Sequence, residues 1–403
     1  MSEQGTRYRV YVTPRIDGGD YGTEVEVSDR VELKGLKDIV RSIDSSDYDV
    51  GVYAFNDLTL DCDNSDGYFG NENDPRSIFQ SSRDLAKVRV VFSLDDTPTV
   101  TFRGLINDEA TRDDVVNDLV SFRVLGMNSG LRKTQVIPGA VSDGTSIRNA
   151  IFAILNRDEI TAILNVDISD INPDLNGTVD VGAELDDRPT NDVLNELLLA
   201  SNSVLLITST DDIIVRSREH DTLKAPLELH GKGDLLQREN IIAISDFNTG
   251  LHRLFNSIQI NETETADEVS KVVNGARRKE IDLPWLSNPT NIAALAARIL
   301  REWKAQKIEM NVTIPTELAK GYDLLDRVSI NYPLTAHATG PFLPICGNFF
   351  TADPNTPLPR VRGSVVITQD MGFKIIEIKE TPVELTTTLK LRQIGVTSSD
   401  GFL

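Results

Sequence analysis

The most constraining feature of this sequence is a strict alternation of side-chain types close to its C-terminus. One set comprises Val383, Leu385, Thr387, Leu389 and Leu391, and the polar side chains between them are Glu384, Thr386, Thr388, Lys390 and Arg392. Successive side chains of a strand point to opposite faces of a sheet, so this period of two predicts a strand with one buried and one solvated face. The segment FKIIEIK (373–379) precedes it across Pro382, and we expect the two to pair as a hairpin.

Strand signals also dominate the first third of the chain. Segments rich in β-branched and aromatic residues are separated by clusters of Asp, Asn, Gly and Pro, as expected for strands joined by turns. These segments are RYRVYV (7–12), DVGVYAFNDLTL (49–60), AKVRVVFSL (86–94), TVTFRGLI (99–106) and LVSFRVL (119–125). The pattern predicts an antiparallel barrel or sandwich over residues 1–130.

The middle segment, residues 131–235, has a different pattern and is predicted to be a small α+β domain. A first helix is indicated by the spacing of Ile147, Ala150, Ile151, Ile154 and Leu155 after a start at residues 143–145. A second helix is predicted over residues 190–200, directly after Pro189. A hairpin with strands at 204–208 and 213–217 follows it.

The last segment, residues 236–403, returns to strands and contains one amphipathic helix at about 289–305. Asn288 and Pro289 are typical of the cap and the first position of a helix. The apolar stripe of this helix is Ile292, Leu295, Ala296, Ile299 and Trp303. An alternating strand at 308–314 comes next. The chain is therefore predicted to be a β-rich α+β protein with a β unit at each end and an α+β segment between them.

An acidic segment, LDCDNSDGYFGNEND (60–74), is the best candidate for a metal site. Counting Asp61 as the first position, Asp63, Ser65 and Glu72 fall third, fifth and twelfth, as in an EF-hand calcium loop. The sixth position, where that loop needs the backbone freedom of glycine, is Asp66, and a strand precedes the segment instead of a helix. Two interpretations stay open: a calcium site, or a solvated connection between strands, which we favour.

No sequence motif for catalysis is present. His220, His230, His252 and His337 are widely spaced, and the chain contains no HExxH, GxSxG or P-loop pattern. A Ser/His/Asp triad assembled from distant positions stays open, since triads are recognised by geometry and not by order. A pair of catalytic carboxylates has no readable pattern among 62 acidic residues. We predict a protein that is not an enzyme, with no cofactor and no catalytic residues.

The charge of the chain limits its partners. A formal net charge of −21 argues against nucleic acid or an anionic membrane as the main binding surface, because both require clustered Lys and Arg. One short basic cluster stands out: Lys271, Arg277, Arg278 and Lys279. It either contacts an acidic neighbouring subunit or lies on a solvated face. No apolar run reaches the roughly eighteen residues of a membrane span, and the start MSEQGTRYRV has no apolar signal-peptide core.

Several stretches, taken in order, resemble bacteriophage tail-hub proteins of the baseplate or tail tip. They are DVGVYAFNDLTLDCDNSDGYF (49–69), TVTFRGLINDE (99–109) with LVSFRVLGM (119–127), NDVLNELLLASNSVLLITSTDDIIVRSR (191–218), GARRKEIDLPWLSNPTNIAALAARILREWKAQKIEMNVTIP (275–315) with GYDLLDRVSI (321–330), and FKIIEIKETPVELTTTLKLRQIG (373–395). The resemblance covers most of the chain.

The resemblance implies two tail-tube-like antiparallel β-barrels per subunit, with the small α+β domain inserted between them. It further implies a homotrimer in which six barrels match the sixfold tail tube protein and distal tail protein. The tape-measure protein C-terminus would lie above the hub and a tip spike or fibre protein below it. Such a hub gates DNA exit, resides at the tail tip of the virion and is assembled in the host cytoplasm. Neither sequence-specific nucleic-acid binding nor membrane insertion is implied.

Two alternatives to a structural hub belong to other classes. The first is a tail-associated cell-wall hydrolase or peptidase, and the second is a carbohydrate-binding adhesin of the tip. Tyr, Phe and Trp make up 6% of the residues, which gives the adhesin little support. Because the chain ends soon after the closing hairpin, we expect receptor binding and wall digestion to belong to a separate spike or fibre.

Overall fold

The computed structural model shows a mostly β protein with few helices. It describes residues 8–16, 20–43, 55–70, 75–79, 82–94, 97–127, 129, 131, 134–157, 165–170, 177–207, 212–217, 235–237, 241–248, 254–304, 307–320, 322–331 and 372–394. The strands of the N-terminal third are β1 (Tyr8–Thr13), β2 (Val25–Glu26), β3 (Val31–Leu36), β4 (Ile39–Ser42), β5 (Phe55–Asp63), β6 (Lys87–Leu94), β7 (Thr97–Asp114) and β8 (Leu119–Gly126).

The rest of the chain contains five α-helices and twelve strands among the described residues. They are α1 (Ile147–Leu155), β9 (Asn165–Asp170), α2 (Thr190–Ala200), β10 (Ser203–Ile207), β11 (Asp212–Ser217), β12 (Leu235–Gln237), β13 (Ala243–Asn248), β14 (Ser257–Ile260), β15 (Thr263–Ala266), α3 (Glu268–Asn274), β16 (Arg278–Ile281), α4 (Pro289–Trp303), β17 (Glu309–Pro315), α5 (Thr316–Ala319), β18 (Arg327–Asn331), β19 (Gly372–Thr381) and β20 (Thr386–Gln393).

The first eight strands form the N-terminal β set. They pair antiparallel in the order β4-β5-β8-β7-β6-β1-β2, and β3 also pairs with β5. In β8 the side chains alternate between buried and less buried, and Val120, Phe122 and Val124 enter the core with Leu60 and Val90. This is the burial expected from period-two sequences with one apolar face. The predicted strands of this region are confirmed where they are described, and residues 49–54 of the strand predicted at 49–60 lie outside the described residues. The strand β7 runs eight residues past the predicted end at 106.

The C-terminal β set follows the order β13-β17-β20-β19, with β18 on β19 and β12 parallel to β18. The predicted closing hairpin is confirmed as β19 and β20, and Thr387, Leu389 and Leu391 point inward. Val383 and Leu385 were expected on the same strand but lie in the turn before it. Leu385 adopts a left-handed backbone with φ of 53°, which ends the alternation at this point.

A single short strand, β4, joins the two β sets into one sheet of fourteen strands. Val40 is the cross-strand partner of Asp57 in β5 and of Lys379 in β19. The other edge of β19 pairs with β20 over almost its whole length. Within the described residues the strand order is an open path, and no pairing closes either set into a barrel.

Three helices, α1, α2 and α4, share a third apolar core with two small sheets, β10-β11-β9 and β15-β14-β16. The predicted helices at 147–155 and 190–200 are confirmed, and so is the hairpin that follows them. The cap of α1 is Ser146, whose hydroxyl accepts a hydrogen bond from the Asn149 amide, and not a residue of 143–145 as expected. A cap must place its side-chain oxygen next to the first free amides, which only Ser146 does here.

The longest helix, α4, begins as the sequence predicted. The Asn288 side chain accepts a hydrogen bond from the Thr290 amide, and Pro289 occupies the first turn. The apolar stripe of α4 packs in the core that also holds Ile151 of α1 and Leu197 of α2. No helix among the described residues is both long and apolar enough to cross a membrane.

Candidate functional site

The acidic segment singled out in the sequence lies at one end of the N-terminal β set. Its first four residues are the end of β5, and Asp63 is the cross-strand partner of Leu119 at the start of β8. The Asn64 amide donates a hydrogen bond of 2.7 Å to the Asp118 carbonyl, which attaches the segment to the loop between β7 and β8. The turn needs Gly67, whose φ is +76°, a conformation that costs glycine little.

Three of the four calcium candidates are described, and each already has protein partners. Asp61 accepts a hydrogen bond of 2.7 Å from the Ser121 hydroxyl and pairs with Lys37 at 2.8 Å. Asp63 accepts a bond of 2.9 Å from the Ser65 amide, and this bond holds the pKa of Asp63 below its usual value. Glu72 lies outside the described residues. Among the described residues, no three His, Cys, Asp or Glu side chains converge as metal ligands.

The rest of the segment returns the chain to the core. Asp66 accepts a bond from the Tyr68 amide, which lowers its pKa, and it pairs with Arg30 at 2.9 Å. The Arg30 guanidinium also lies 3.9 Å from the centre of the Tyr68 ring. Phe69 is completely buried and contacts Phe122 edge to face at 5.4 Å. These hydrogen bonds, ion pairs and ring contacts hold the segment in one conformation as a connection between strands.

A calcium titration distinguishes the two interpretations of the segment. We expect millimolar CaCl2 to leave the thermal unfolding midpoint unchanged, because Asp61, Asp63 and Asp66 each have a protein partner. Ligand bound only to the folded state at 100 times its Kd would add about 2.7 kcal/mol to the free energy of unfolding. An increase in the midpoint that disappears in Glu72→Gln would instead establish the calcium site. MgCl2 at the same ionic strength is the control.

The hairpin of β7 and β8 projects an apolar tip that the sequence interpretation missed. Val115 and Val116 are 84% and 91% exposed. Asp114 holds the tip in shape: its carboxylate accepts bonds from the Val116 and Asn117 amides and from the Asn117 side chain at 2.7 Å. The Asn117 side chain is the main cause of the lowered pKa of Asp114. Two valines between acidic residues, DDVVND (113–118), are the sequence signal for this tip.

Arg83 braces the arm that carries this tip. Its guanidinium bonds both carboxylate oxygens of Asp113, at 2.9 and 3.1 Å, and pairs with Asp108 at 3.0 Å. The pairing of β7 with β8 shifts register between Asn107 and Arg112, so Asp108 lies within this irregular stretch and Asp113 just beyond it. Bidentate guanidinium–carboxylate pairs fix geometry as well as adding energy. The tip is therefore a preorganised projection.

A second exposed apolar surface lies on α3. Val269, Val272 and Val273 are 77%, 87% and 62% exposed, and no residue of this helix is buried. The three valines are at positions i, i+3 and i+4, a spacing that usually places a helix face against a core, yet here that face is exposed. The Asp267 side chain caps the helix and also pairs with Lys304 at 2.8 Å.

The predicted basic cluster lies on this helix and in the residues directly after it. Lys271 lies on α3 and pairs with Glu268 at 3.0 Å, and Arg278 begins β16 and pairs with Glu280 at 3.0 Å. Lys279 lies 5.7 Å from the centre of the Phe255 ring. Arg277 immediately precedes β16. Arg278 and Lys279 are successive residues of β16 and point to opposite faces of its sheet, so the four cations do not share one face.

The four histidines considered for catalysis, His220, His230, His252 and His337, all lie outside the described residues. The one described cysteine, Cys62, is buried in the N-terminal core, and burial strongly raises the pKa of its thiol. A buried thiol of this kind is a core residue and not a nucleophile.

Comparison with known proteins places the fold. No family model and no curated protein matches the sequence. Solved structures do match it. The 43 kDa tail protein of prophage MuSo2 from Shewanella oneidensis gives a TM-score of 0.53 at 9% identity, over 96% of this chain and 97% of that one. A tail protein from Neisseria meningitidis MC58 gives a TM-score of 0.55 at 13% identity, over 98% of this chain and 99% of that one. The chain therefore has the fold of these tail proteins, and the resemblance seen in the sequence is confirmed at the level of fold.

Proposed function

We propose that this chain is a non-enzymatic structural protein of a bacteriophage tail tip or baseplate, located in the virion and assembled in the host cytoplasm. The observation that carries the proposal is the fold shared with two tail proteins over nearly the full length of all three chains. The exposed features support it, since the hairpin tip and the α3 surface are suited to contacts with other proteins.

Within the tail, the proposed form is a homotrimeric hub. The chain contains two β sets with separate apolar cores, joined side by side through β4. We assign residues 1–130 and 236–403 to two tail-tube-like barrels and residues 131–235 to the inserted α+β domain. Three copies would then present six similar β units. A closed ring of this kind resolves the mismatch between threefold and sixfold neighbours.

The partners follow from that position. The sixfold face of the hub would bind the tail tube protein and the distal tail protein, with the tape-measure protein C-terminus above. The threefold face would hold a tip spike or fibre. Gating is then a change in subunit contacts that opens the lumen for DNA. The net charge of −21 supports a lumen that does not retain DNA, because like charges repel the phosphate backbone.

Mass measurement of the purified chain in solution tests the trimer. We expect multi-angle light scattering to give three times 44.5 kDa at micromolar concentration. Electron-microscopy class averages of that species should show a ring of six peripheral units with threefold symmetry. A dimer, or a trimer with only three units, would contradict the proposal. Clearing of host cell wall in a zymogram would instead establish the hydrolase alternative.

A further inference from the structure

The end of α3 carries a dipeptide with its own covalent chemistry, Asn274–Gly275. When glycine follows asparagine, its backbone nitrogen attacks the asparagine side-chain carbonyl with least obstruction, because glycine has no Cβ and changes its backbone angles at little cost. Aspartate followed by glycine undergoes the slower equivalent reaction. Both residues are described in three such pairs of this chain: Asp66–Gly67, Asp143–Gly144 and Asn274–Gly275.

In the two aspartate pairs the fold holds the glycine amide that would have to react. The Gly67 amide donates a hydrogen bond of 2.9 Å to the Asn64 carbonyl, and the Gly144 amide donates one of 2.8 Å to the Val179 carbonyl. A nitrogen engaged in this way must first give up its hydrogen bond before it can turn toward a carboxyl carbon.

The carboxylates of these two pairs are held as well. Asp66 pairs with Arg30 at 2.9 Å, and Asp143 accepts a hydrogen bond of 2.6 Å from the Gly182 amide. Both reacting groups of each aspartate pair are therefore restrained by other parts of the fold.

The pair Asn274–Gly275 has no comparable restraint. The Gly275 amide donates no backbone bond to any described residue outside α3, and a Cβ placed on this glycine would meet no atom within 4 Å. Among the described residues, the Asn274 side chain bonds only the Ser270 hydroxyl, at 3.3 Å. The side-chain carbonyl carbon and the next backbone nitrogen are thus both accessible to one another and to water.

The last turn of α3 can open without disturbing a core. The helix is seven residues long, none of them is buried, and Asn274 is its last residue. Its anchors lie earlier, at the Asp267 cap and at Ser270, whose hydroxyl donates a bond of 3.0 Å to the Lys304 carbonyl. Helix ends fray first, because their terminal backbone groups lack partners within the helix. Rotation of the Asn274 backbone therefore brings its side chain to the Gly275 nitrogen at little cost.

The chain directly after this pair is fixed by Asn256. Its side-chain amide donates a bond of 2.7 Å to the Gly275 carbonyl, and its side-chain oxygen accepts one of 2.8 Å from the Arg277 amide. These bonds hold the carbonyl end of Gly275 and leave its nitrogen, the reacting atom, unaffected. Movement is confined to the bond between Asn274 and Gly275.

We propose that Asn274 is a site of spontaneous deamidation in the folded chain. The Gly275 nitrogen forms a bond to Asn274 Cγ, the bond between Cγ and Nδ2 breaks, and the proton of the Gly275 amide leaves with Nδ2 as ammonia. Water then opens the cyclic imide at either carbonyl and yields aspartate or isoaspartate, whose carboxyl proton goes to solvent. Water is the only co-reactant.

The conversion replaces a neutral amide by a carboxylate at the C-terminal end of α3. Negative charge at this end opposes the helix dipole, and isoaspartate also moves a side-chain methylene into the backbone. The exposed Val272 and Val273 directly precede the site, so the surface of α3 changes while the buried cores do not. The reaction is a property of the single chain and is independent of the proposed hub.

Peptide mapping by mass spectrometry, after storage of the full chain at mildly alkaline pH, tests the proposal. We expect aspartate and isoaspartate to form at Asn274 within about tenfold of the rate in the guanidinium-unfolded chain, because a frayed helix end gives little protection. Asn256, followed by Ser257, is the internal control: it is fully buried, and folding should slow its conversion at least about a hundredfold. Protection of Asn274 equal to that of Asn256 would overturn the proposal.

Two variants test the chemistry at the pair itself. Asn274→Gln should show no conversion at this position over the same storage, because its longer side chain would have to close a larger ring. Gly275→Ala should slow the reaction several-fold in both the folded and the unfolded chain, since its Cβ obstructs the attacking nitrogen. Conversion of Gly275→Ala at the rate of the unsubstituted chain would contradict attack by this nitrogen.

Discussion

Replacing Glu380 by glutamine is expected to lower the free energy of unfolding by about 3 kcal/mol, because the change leaves a largely buried ammonium group without its counter-charge. Lys320 Nζ lies 3.0 and 2.9 Å from the two carboxylate oxygens of Glu380, and the two side chains are only 19% and 10% exposed. The Tyr8 hydroxyl donates a further bond of 2.5 Å to the same carboxylate.

This cluster links the two β sets. Tyr8 belongs to β1 and Glu380 to β19, and Lys320 also lies 4.6 Å from the centre of the Phe92 ring in β6. The loss in Glu380→Gln should therefore appear as a lower urea midpoint for both sets together. Adding Lys320→Met to this variant removes the unpaired ammonium and should restore most of the lost stability. A double variant as unstable as Glu380→Gln would contradict the electrostatic explanation.

An exposed ion pair at the same junction provides the matched control. Lys379 in β19 pairs with Asp38 at 2.7 Å, and their side chains are 43% and 38% exposed. Asp38→Asn should cost no more than about 1 kcal/mol, since water screens the pair. If Asp38→Asn and Glu380→Gln lower the free energy of unfolding equally, burial of the Lys320–Glu380 pair does not add to its contribution.

The pH dependence of Glu380→Gln gives an independent readout. Burial lowers the pKa of Lys320 from its usual value, and Glu380 opposes this effect. Without Glu380 the pKa of Lys320 in the folded state falls further. At pH values between this lowered pKa and the usual lysine pKa, Lys320 is then protonated in the unfolded chain but not in the folded one, and this pH range is wider in the variant. The stability of the variant should then rise as the pH rises through that range, and its deficit should shrink.

Replacing Phe69 by alanine is expected to cost about 3–5 kcal/mol, the usual range for a fully buried phenylalanine. The Phe69 ring packs edge to face against Tyr68 at 5.2 Å and Phe122 at 5.4 Å, so its removal leaves a cavity under the acidic segment. Urea unfolding monitored by circular dichroism measures the loss.

The control for Phe69 is an exposed residue of the same type. Phe152 on α1 is 46% exposed, and Phe152→Ala should change the free energy of unfolding by no more than about 0.5 kcal/mol. Similar small losses in both variants would show that the segment does not depend on its aromatic anchor. Packing of the acidic segment would then contribute little to the stability of the N-terminal β set.

The sequence predicted local elements well where their signals are local. The period of two in β20, and the cap Asn288 with Pro289 in α4, depend only on neighbouring residues and are confirmed. In β17 the period holds from Met310 onward, but Glu309, expected on the polar face, is buried. The spacing of calcium-loop residues was less informative, because it does not report which carboxylates already have partners.

The two exposed valine surfaces, on the hairpin tip and on α3, were harder to predict from the sequence. No helix was predicted at 268–274, and the three valines of α3 are exposed. An apolar stripe shows that a face avoids water but not whether the partner is in the same chain. The hairpin tip had a readable pair of valines, but its rigidity depends on Arg83, a residue far from the tip in sequence.

By itself the sequence determined the β-rich class, the positions of α1, α2 and α4, and the position of the closing hairpin, because side-chain period and turn residues act over a few positions. Only the tertiary structure decided that β4 joins β19, that α4 shares a core with α1 and α2, and that two valine surfaces stay uncovered. Strand partners more than three hundred residues apart are selected by packing of whole faces, and four residues such as IVRS (39–42) carry no pattern that names their partner.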